Sequence, residues 1–173
     1  RFESLEGGSR CSGRHRPALV ALGRYSEAEP LLRTAIEQGS NGADIQRALV
    51  LCLLERGNLL EAERLLERVG PGPRGDGDLL KAMILLERGE AADALSILEP
   101  VTRDRSGEPK VLNLAAGILY RLGRYQDAVD ILTQANEMAP SDSVIENNLR
   151  HAEAASAAID LQAQATATSA LSN

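Results

Sequence analysis

Residues 109–142 read PKVLNLAAGILYRLGRYQDAVDILTQANEMAPSD, and their apolar positions set the fold. Counting from Gly123, Ala128, Ile131, Leu132 and Ala135 follow at offsets of five, eight, nine and twelve, which is one face of a helix. Leu119 stands four residues before the glycine, so a second apolar helix precedes it. Gly123 therefore sits where one helix reverses into another, a position that needs a residue tolerant of positive φ. Ala128 is small because the paired helices come closest there, and a larger side chain would push them apart.

Outward from this stretch the pattern recurs. Gly23, Gly57, Gly89 and Gly123 stand 34, 32 and 34 residues apart. Each follows a leucine by four residues (Leu19, Leu53, Leu85, Leu119) and precedes an alanine by five (Ala28, Ala62, Ala94, Ala128). The offsets of eight, nine and twelve hold Leu31, Leu32 and Ala35; Leu65, Leu66 and Val69; Ile97, Leu98 and Val101; and again Ile131, Leu132 and Ala135. Every one of these twenty positions is apolar in a chain that is 43% apolar, so the grid is an internal repeat and not a chance alignment.

A period near 34, two helices per period and a closing proline resemble the tetratricopeptide repeat. In the best copy Leu112 takes the family's Trp slot, Ala115 and Ala116 its Leu-Gly slot and Leu119 its first Tyr slot; Gly123, Tyr125, Ala128, Leu132, Ala135 and Pro140 follow in order. Residues 23–32, GRYSEAEPLL, are also similar to repeats of the kinesin-light-chain type, with a proline inside the second helix. The resemblance covers about residues 18–150. It implies an all-α fold, an α-α superhelix (solenoid) of helix-turn-helix tetratricopeptide repeats with a C-terminal capping helix. The expected organisation is a disordered or tag-like segment at 1–16 and a repeat domain at 17–155, followed by a low-complexity Ala/Gln/Ser/Thr tail at 156–173. Within the domain the copies fall at about 17–42, 43–74, 75–108 and 109–142, and the cap at 143–155.

Several positions depart from the pattern. Arg14, His15, Arg16 and Pro17 occupy the beginning of the first helix, which is expected to be short or frayed. Pro30 and Pro100 fall inside second helices, and a kink is expected at Pro100. Asp78 and Lys81 stand in slots the family buries; either they pair at i, i+3, or their helix starts late and rotates. Gly70, Pro71, Gly72, Pro73, Gly75 and Gly77 predict a loop over 70–77. Ser143-x-x-Glu146 predicts a capping box that opens the cap helix, and beyond about Ala158 the chain is expected to be frayed helix or disordered.

Composition narrows function. With 2% aromatic residues and no Trp, the core must be built from Leu, Ile, Val and Ala, which suits helices packed on helices. A net charge of -6 argues against a nucleic-acid partner, because phosphate neutralisation supplies most of that affinity. The longest apolar run, residues 48–54, is far short of the roughly 20 residues that span a bilayer, so no membrane insertion is expected. Residues 1–16 have no hydrophobic signal core; the compartment stays open, with the cytoplasm as default. Cys11 and Cys52 belong to no ligand cluster, and His15 and His151 have no catalytic partner at a suitable spacing, so no metal, cofactor or enzymatic activity is expected. The glycine-rich loop lacks the Lys-Ser/Thr ending of a phosphate cradle, and Arg74-Gly75-Asp76 is a tripeptide that recurs by accident.

In the resembled family the concave wall is lined mainly by the first helix of each pair. Carried onto this chain, that wall comprises Arg47, Ala48, Leu51, Leu54 and Glu55; Leu79, Leu80, Met83, Leu86 and Glu87; and Lys110, Asn113, Leu114, Gly117, Tyr120 and Arg121. The cap helix adds Asn147, Asn148 and His151. The wall is mostly apolar, so a carboxylate clamp of Lys, Asn and Arg is not expected. An amphipathic helix or an extended apolar peptide suits it, with the asparagines placed to hold a peptide backbone. The alternatives are burial of that surface under the C-terminal tail or by self-association into a homo-oligomer, and a non-catalytic repeat region of a larger enzyme or of a secretion or assembly protein. An RNA-binding helical array is disfavoured by the acidic charge.

Overall fold

The computed structural model describes residues 19–20, 22–72 and 75–171; among them are eight long α-helices and no strand. In chain order these are α1 (Tyr25–Glu37), α2 (Ala43–Glu55), α3 (Leu59–Val69), α4 (Asp76–Glu87), α5 (Ala91–Asp104), α6 (Pro109–Arg121), α7 (Tyr125–Met138) and α8 (Ser143–Leu171). Contacts divide the chain into two compact units, one ending at Ile84 and the other beginning at Leu85, so the division falls inside α4. In the first unit α2 packs against both α1 and α3, around Ala28, Leu32, Val50, Leu53, Ala62 and Leu66. In the second, α6 packs on α5 and α7, and α7 on α8; the core there includes Leu112, Leu119, Ala128, Leu132, Ile145 and Ala152.

The repeat grid is explained by its turns. Gly23, Gly57, Gly89 and Gly123 are exposed and have φ of 71, 71, 83 and 74°. At the last, the Gly123 N–H donates to the Tyr120 carbonyl and the Arg124 N–H to the Leu119 carbonyl, each at 3.0 Å. The same two bonds close the helices before Gly23, Gly57 and Gly89, in each case with the repeat leucine's carbonyl as the outer acceptor. This is the glycine-terminated helix end in which a left-handed residue lets the chain satisfy its last carbonyls. The residue after the glycine then caps the next helix: its carbonyl accepts from the N–H of the repeat alanine, at 3.1 Å for Arg124 and Ala128. Ala28, Ala62, Ala94 and Ala128 are all fully buried.

The departures resolve one by one. The fraying expected at Arg14–Pro17 lies outside the described residues, as do Pro73 and Arg74 of the loop. α1 and α5 run without interruption through Pro30 and Pro100. The loop is shorter than expected, because α4 already begins at Asp76. It does not start late, and no ion pair joins Asp78 to Lys81; Gly77, Leu80 and Ile84 turn inward, leaving Asp78 half-buried and Lys81 exposed. The capping role expected of Ser143 belongs to Asp142, whose Oδ1 accepts from the Val144 N–H at 3.0 Å and more weakly from that of Ile145 at 3.4 Å. The cap helix does not end at 155. It continues to Leu171, because a run rich in alanine and glutamine costs little to hold helical.

One polar feature of the first unit carries no sequence signal. Glu29 on α1 has a side chain only 8% exposed, and it accepts from Arg33 at 2.9 Å and from Arg56, just beyond α2, at 2.7 Å. Arg33 in turn makes a two-pronged contact with Glu61 on α3, at 2.7 and 3.0 Å, so the network ties three helices together. Burial alone would raise the Glu29 carboxyl, but the hydrogen bonds from Arg56 and Arg33 outweigh it and hold the group below its ordinary value. Burial and the nearby Glu29 charge push the Cys52 thiol up to about 11, which leaves it unreactive.

A carboxylate depressed on folding stabilises fully above its unfolded value, here 4.5, and loses that contribution as pH falls through the folded value. Glu29→Gln is therefore expected to cost about 1 kcal/mol at neutral pH. It should also flatten the acid side of the melting-temperature profile below pH 4.5, leaving only the share owed to other depressed carboxylates such as Glu61. Parallel wild-type and variant profiles would rule this out.

Candidate functional site

In the second unit, α6 and α8 both face an open cleft of about 330 Å³ lined by Leu86, Ala116, Gly117, Tyr120, Arg121, Leu132, Asn148 and His151. Its floor is aliphatic, and Leu132 there is part of the core. The rim is polar and aromatic. Tyr120 is 40% exposed, and its ring meets that of Tyr125 edge-on, centroids 4.9 Å apart and planes at 70°. That contact fixes the orientation of the exposed ring. The Asn148 amide donates to Asn113 Oδ1 at 2.9 Å and so links α8 to α6 beside the cleft. Asn147 points its oxygen at Arg150, at 2.5 Å.

The wall residues expected from the sequence fall into two groups. Leu86, Tyr120, Arg121, Asn148 and His151 come together around this cleft, with Asn113 tied to it through Asn148. Leu114 is half-buried, and Lys110 is exposed on the first turn of α6. The first-unit residues differ. Leu54 and Leu80 are buried core, while Leu51 and Met83 are partly buried against that core. Arg47 is buried too: it bonds Asp44 at 2.6 Å, and the 70–72 loop lies so close over it that a Cβ on Gly72 would come within 2.5 Å of Nη1. The sequence placed these on one helix wall, but a periodic pattern does not separate a side chain facing a groove from one facing a neighbouring helix. Leu132 and Ala116 join the cleft although the repeat pattern reads both as packing positions.

The cleft offers hydrogen-bond donors and an aliphatic floor. His151 has no carboxylate, serine or cysteine beside it in the lining. No group of three or more His, Cys, Asp or Glu among the described residues could hold a metal ion, and no described helix is long and apolar enough to cross a membrane.

A family model described as the tetratricopeptide repeat matches residues 19–84 and 85–149, dividing the chain where its contacts divide it. No curated protein matches. Among solved structures the chain is similar to MamA of AMB-1, at 18% identity and a TM-score of 0.61, over 85% of this chain and 88% of that one. It is also similar to residues 41 to the end of MamA from Desulfovibrio magneticus RS-1, at 14% identity and a TM-score of 0.55, over 89% and 94%. A third similar structure is TTC0263, a thermophilic TPR protein in Thermus thermophilus, at 19% identity and a TM-score of 0.57, over 82% and 96%. Identities this low speak for the fold alone.

Proposed function

Since the chain belongs to the tetratricopeptide-repeat family, whose architecture serves protein-interaction scaffolds, we propose that it binds an apolar or amphipathic protein segment, without catalysis, along its first-helix wall. The observation that supports this best is the cleft of the second unit, an aliphatic floor rimmed by Tyr120, Arg121, Asn148 and His151. Tyr120, Arg121 and His151 stand exposed around that floor, where a partner can reach them. A peptide seated there gains its energy from the floor, and its register from the Asn148 amide and the exposed Arg121.

The test separates binding from folding. Tyr120→Ala with His151→Ala is expected to leave helicity and melting nearly unchanged while weakening partner capture from native lysate by about tenfold, or roughly 1.4 kcal/mol. Met83 does not enter the test because it packs against the first unit's core. A variant that folds and still captures every partner would place binding elsewhere.

Self-association is a second reading, favoured by Ile159 and Leu161, which are 48% and 66% exposed on α8. Size-exclusion behaviour with and without residues 156–173 distinguishes the two.

A further inference from the structure

We propose that the cleft of the second unit takes an internal segment of a partner protein in which a bulky apolar side chain is bracketed by two acidic residues. The apolar group would seat against Gly117, and the carboxylates would pair with Lys110 and Arg121. This rests on the binding function proposed above and names the class of its partner.

Gly117 is the first reason. It lies inside α6, where glycine is less favourable than alanine. Its backbone is not in the left-handed region, and a Cβ built on it would meet nothing within 4 Å. Neither conformation nor packing within the chain calls for glycine here. What the missing Cβ supplies is close approach, and the space it opens belongs to the cleft. Nor does Gly117 stand in the small-residue slot of the repeat, which Ala116 fills.

Charge is the second reason. α6 alone among the eight described helices has no acidic residue, in a chain of net charge -6. Its cations are Lys110 and Arg121, both exposed, and neither forms an ion pair with a described residue. At 100° per residue, Lys110, Gly117 and Arg121 fall within about 40° of one another around the helix, so they form one stripe with the glycine between the charges. The two cations are about 16 Å apart along the axis. A single carboxylate reaching both, such as a chain terminus, would have to sit over the apolar floor at Gly117 and lose its water there. Two acidic side chains on either side of an apolar anchor meet both cations along the α6 stripe, Arg121 at the rim and Lys110 beyond it, and leave the floor to the anchor.

The test is selection of phage-displayed random twelve-residue peptides on the full chain. Bulky apolar residues flanked on both sides by Asp or Glu are expected to be enriched. Gly117→Leu, whose side chain fills the cleft, should weaken the selected peptides by about tenfold or more. Lys110→Glu with Arg121→Glu should weaken them similarly and turn the selection toward basic flanks. Gly117→Ala should raise the melting midpoint by a few degrees, since only the unfolded chain gains from the glycine. If Gly117→Ala lowers the midpoint, the glycine serves folding and the proposal falls. Selected peptides that bind Gly117→Leu as well as wild type would remove this cleft while leaving the binding function standing. Enrichment no greater on wild type than on Gly117→Leu for any sequence would remove both. Affinity lost when selected peptides are synthesised and C-terminally amidated would show a terminal carboxylate in place of bracketing acids, and a dimer abolished by Gly117→Leu would put a second copy of the chain in the cleft; either overturns the proposal.

Discussion

Ala128→Leu is expected to lower stability by about 2–3 kcal/mol, seen as a fall in the thermal or denaturant midpoint of the chain at unchanged helix content in the native baseline. Ala128 is fully buried in the core that contains Leu112, Leu119 and Leu132. Its N–H is bonded to the Arg124 carbonyl in the first turn of α7, immediately after the Gly123 reversal, so the helix cannot rotate to move a larger side chain outward. The added carbons must be taken up by shifting α6 against α7 or by forcing neighbouring leucines off their rotamers. Ala92→Leu is the control: that alanine is exposed, and its substitution should stay within about 0.5 kcal/mol. Equal midpoints for the two variants would show that Ala128 does not set the helix spacing.

Gly77→Val is expected to cost a similar amount, about 2–3 kcal/mol, for a different reason. Gly77 is buried in the first turn of α4, where a Cβ would come within 2.6 Å of Pro71 Cα and its carbonyl oxygen and 2.7 Å of the Gly70 oxygen. All three are backbone atoms, so no side-chain rotation relieves the clash. The Gly77 N–H also donates to the Pro71 carbonyl at 2.6 Å, which pins the end of the loop against the start of the helix. Moving the loop away breaks that bond. Gly89→Ala separates this from a conformational effect: Gly89 has φ 83° and a Cβ on it would meet nothing within 4 Å, so alanine there meets backbone strain without the contact. The expected order of damage is Gly77→Val above Gly89→Ala, and the reverse order in urea midpoints would contradict the close approach.

The repeat was legible because its parts obey local rules. Leu119, Gly123 and Ala128 are bound into one hydrogen-bonded reversal whose spacing is fixed by the helix period, so the same offsets must recur wherever the chain makes the same turn. The cleft was legible only in part. Leu80 and Leu86 look alike in sequence, both leucines of α4 on the expected wall, yet the first is core and the second lines the cleft. Met83 and Arg47 also differ from expectation, because what covers a helix face is decided by elements far away in sequence. The 70–72 loop over Arg47 is such a cover. The cap shows the limit on a smaller scale: Ser143 and Asp142 are both good capping residues, and one residue of helix register decides between them.

The sequence by itself determined the helix pairs, their reversals at Gly23, Gly57, Gly89 and Gly123, and the alanines at the closest approach, since each depends on residues within about one helical turn of one another. Only the tertiary structure decided the Glu29–Arg33–Arg56–Glu61 network, whose partners come from three helical segments, and the cleft at Gly117, which needs α6 and α8 side by side. The physical reason is one of range. Backbone hydrogen bonds and helical periodicity act over a few residues, while burial and ion pairing depend on which distant surfaces the packed helices bring together.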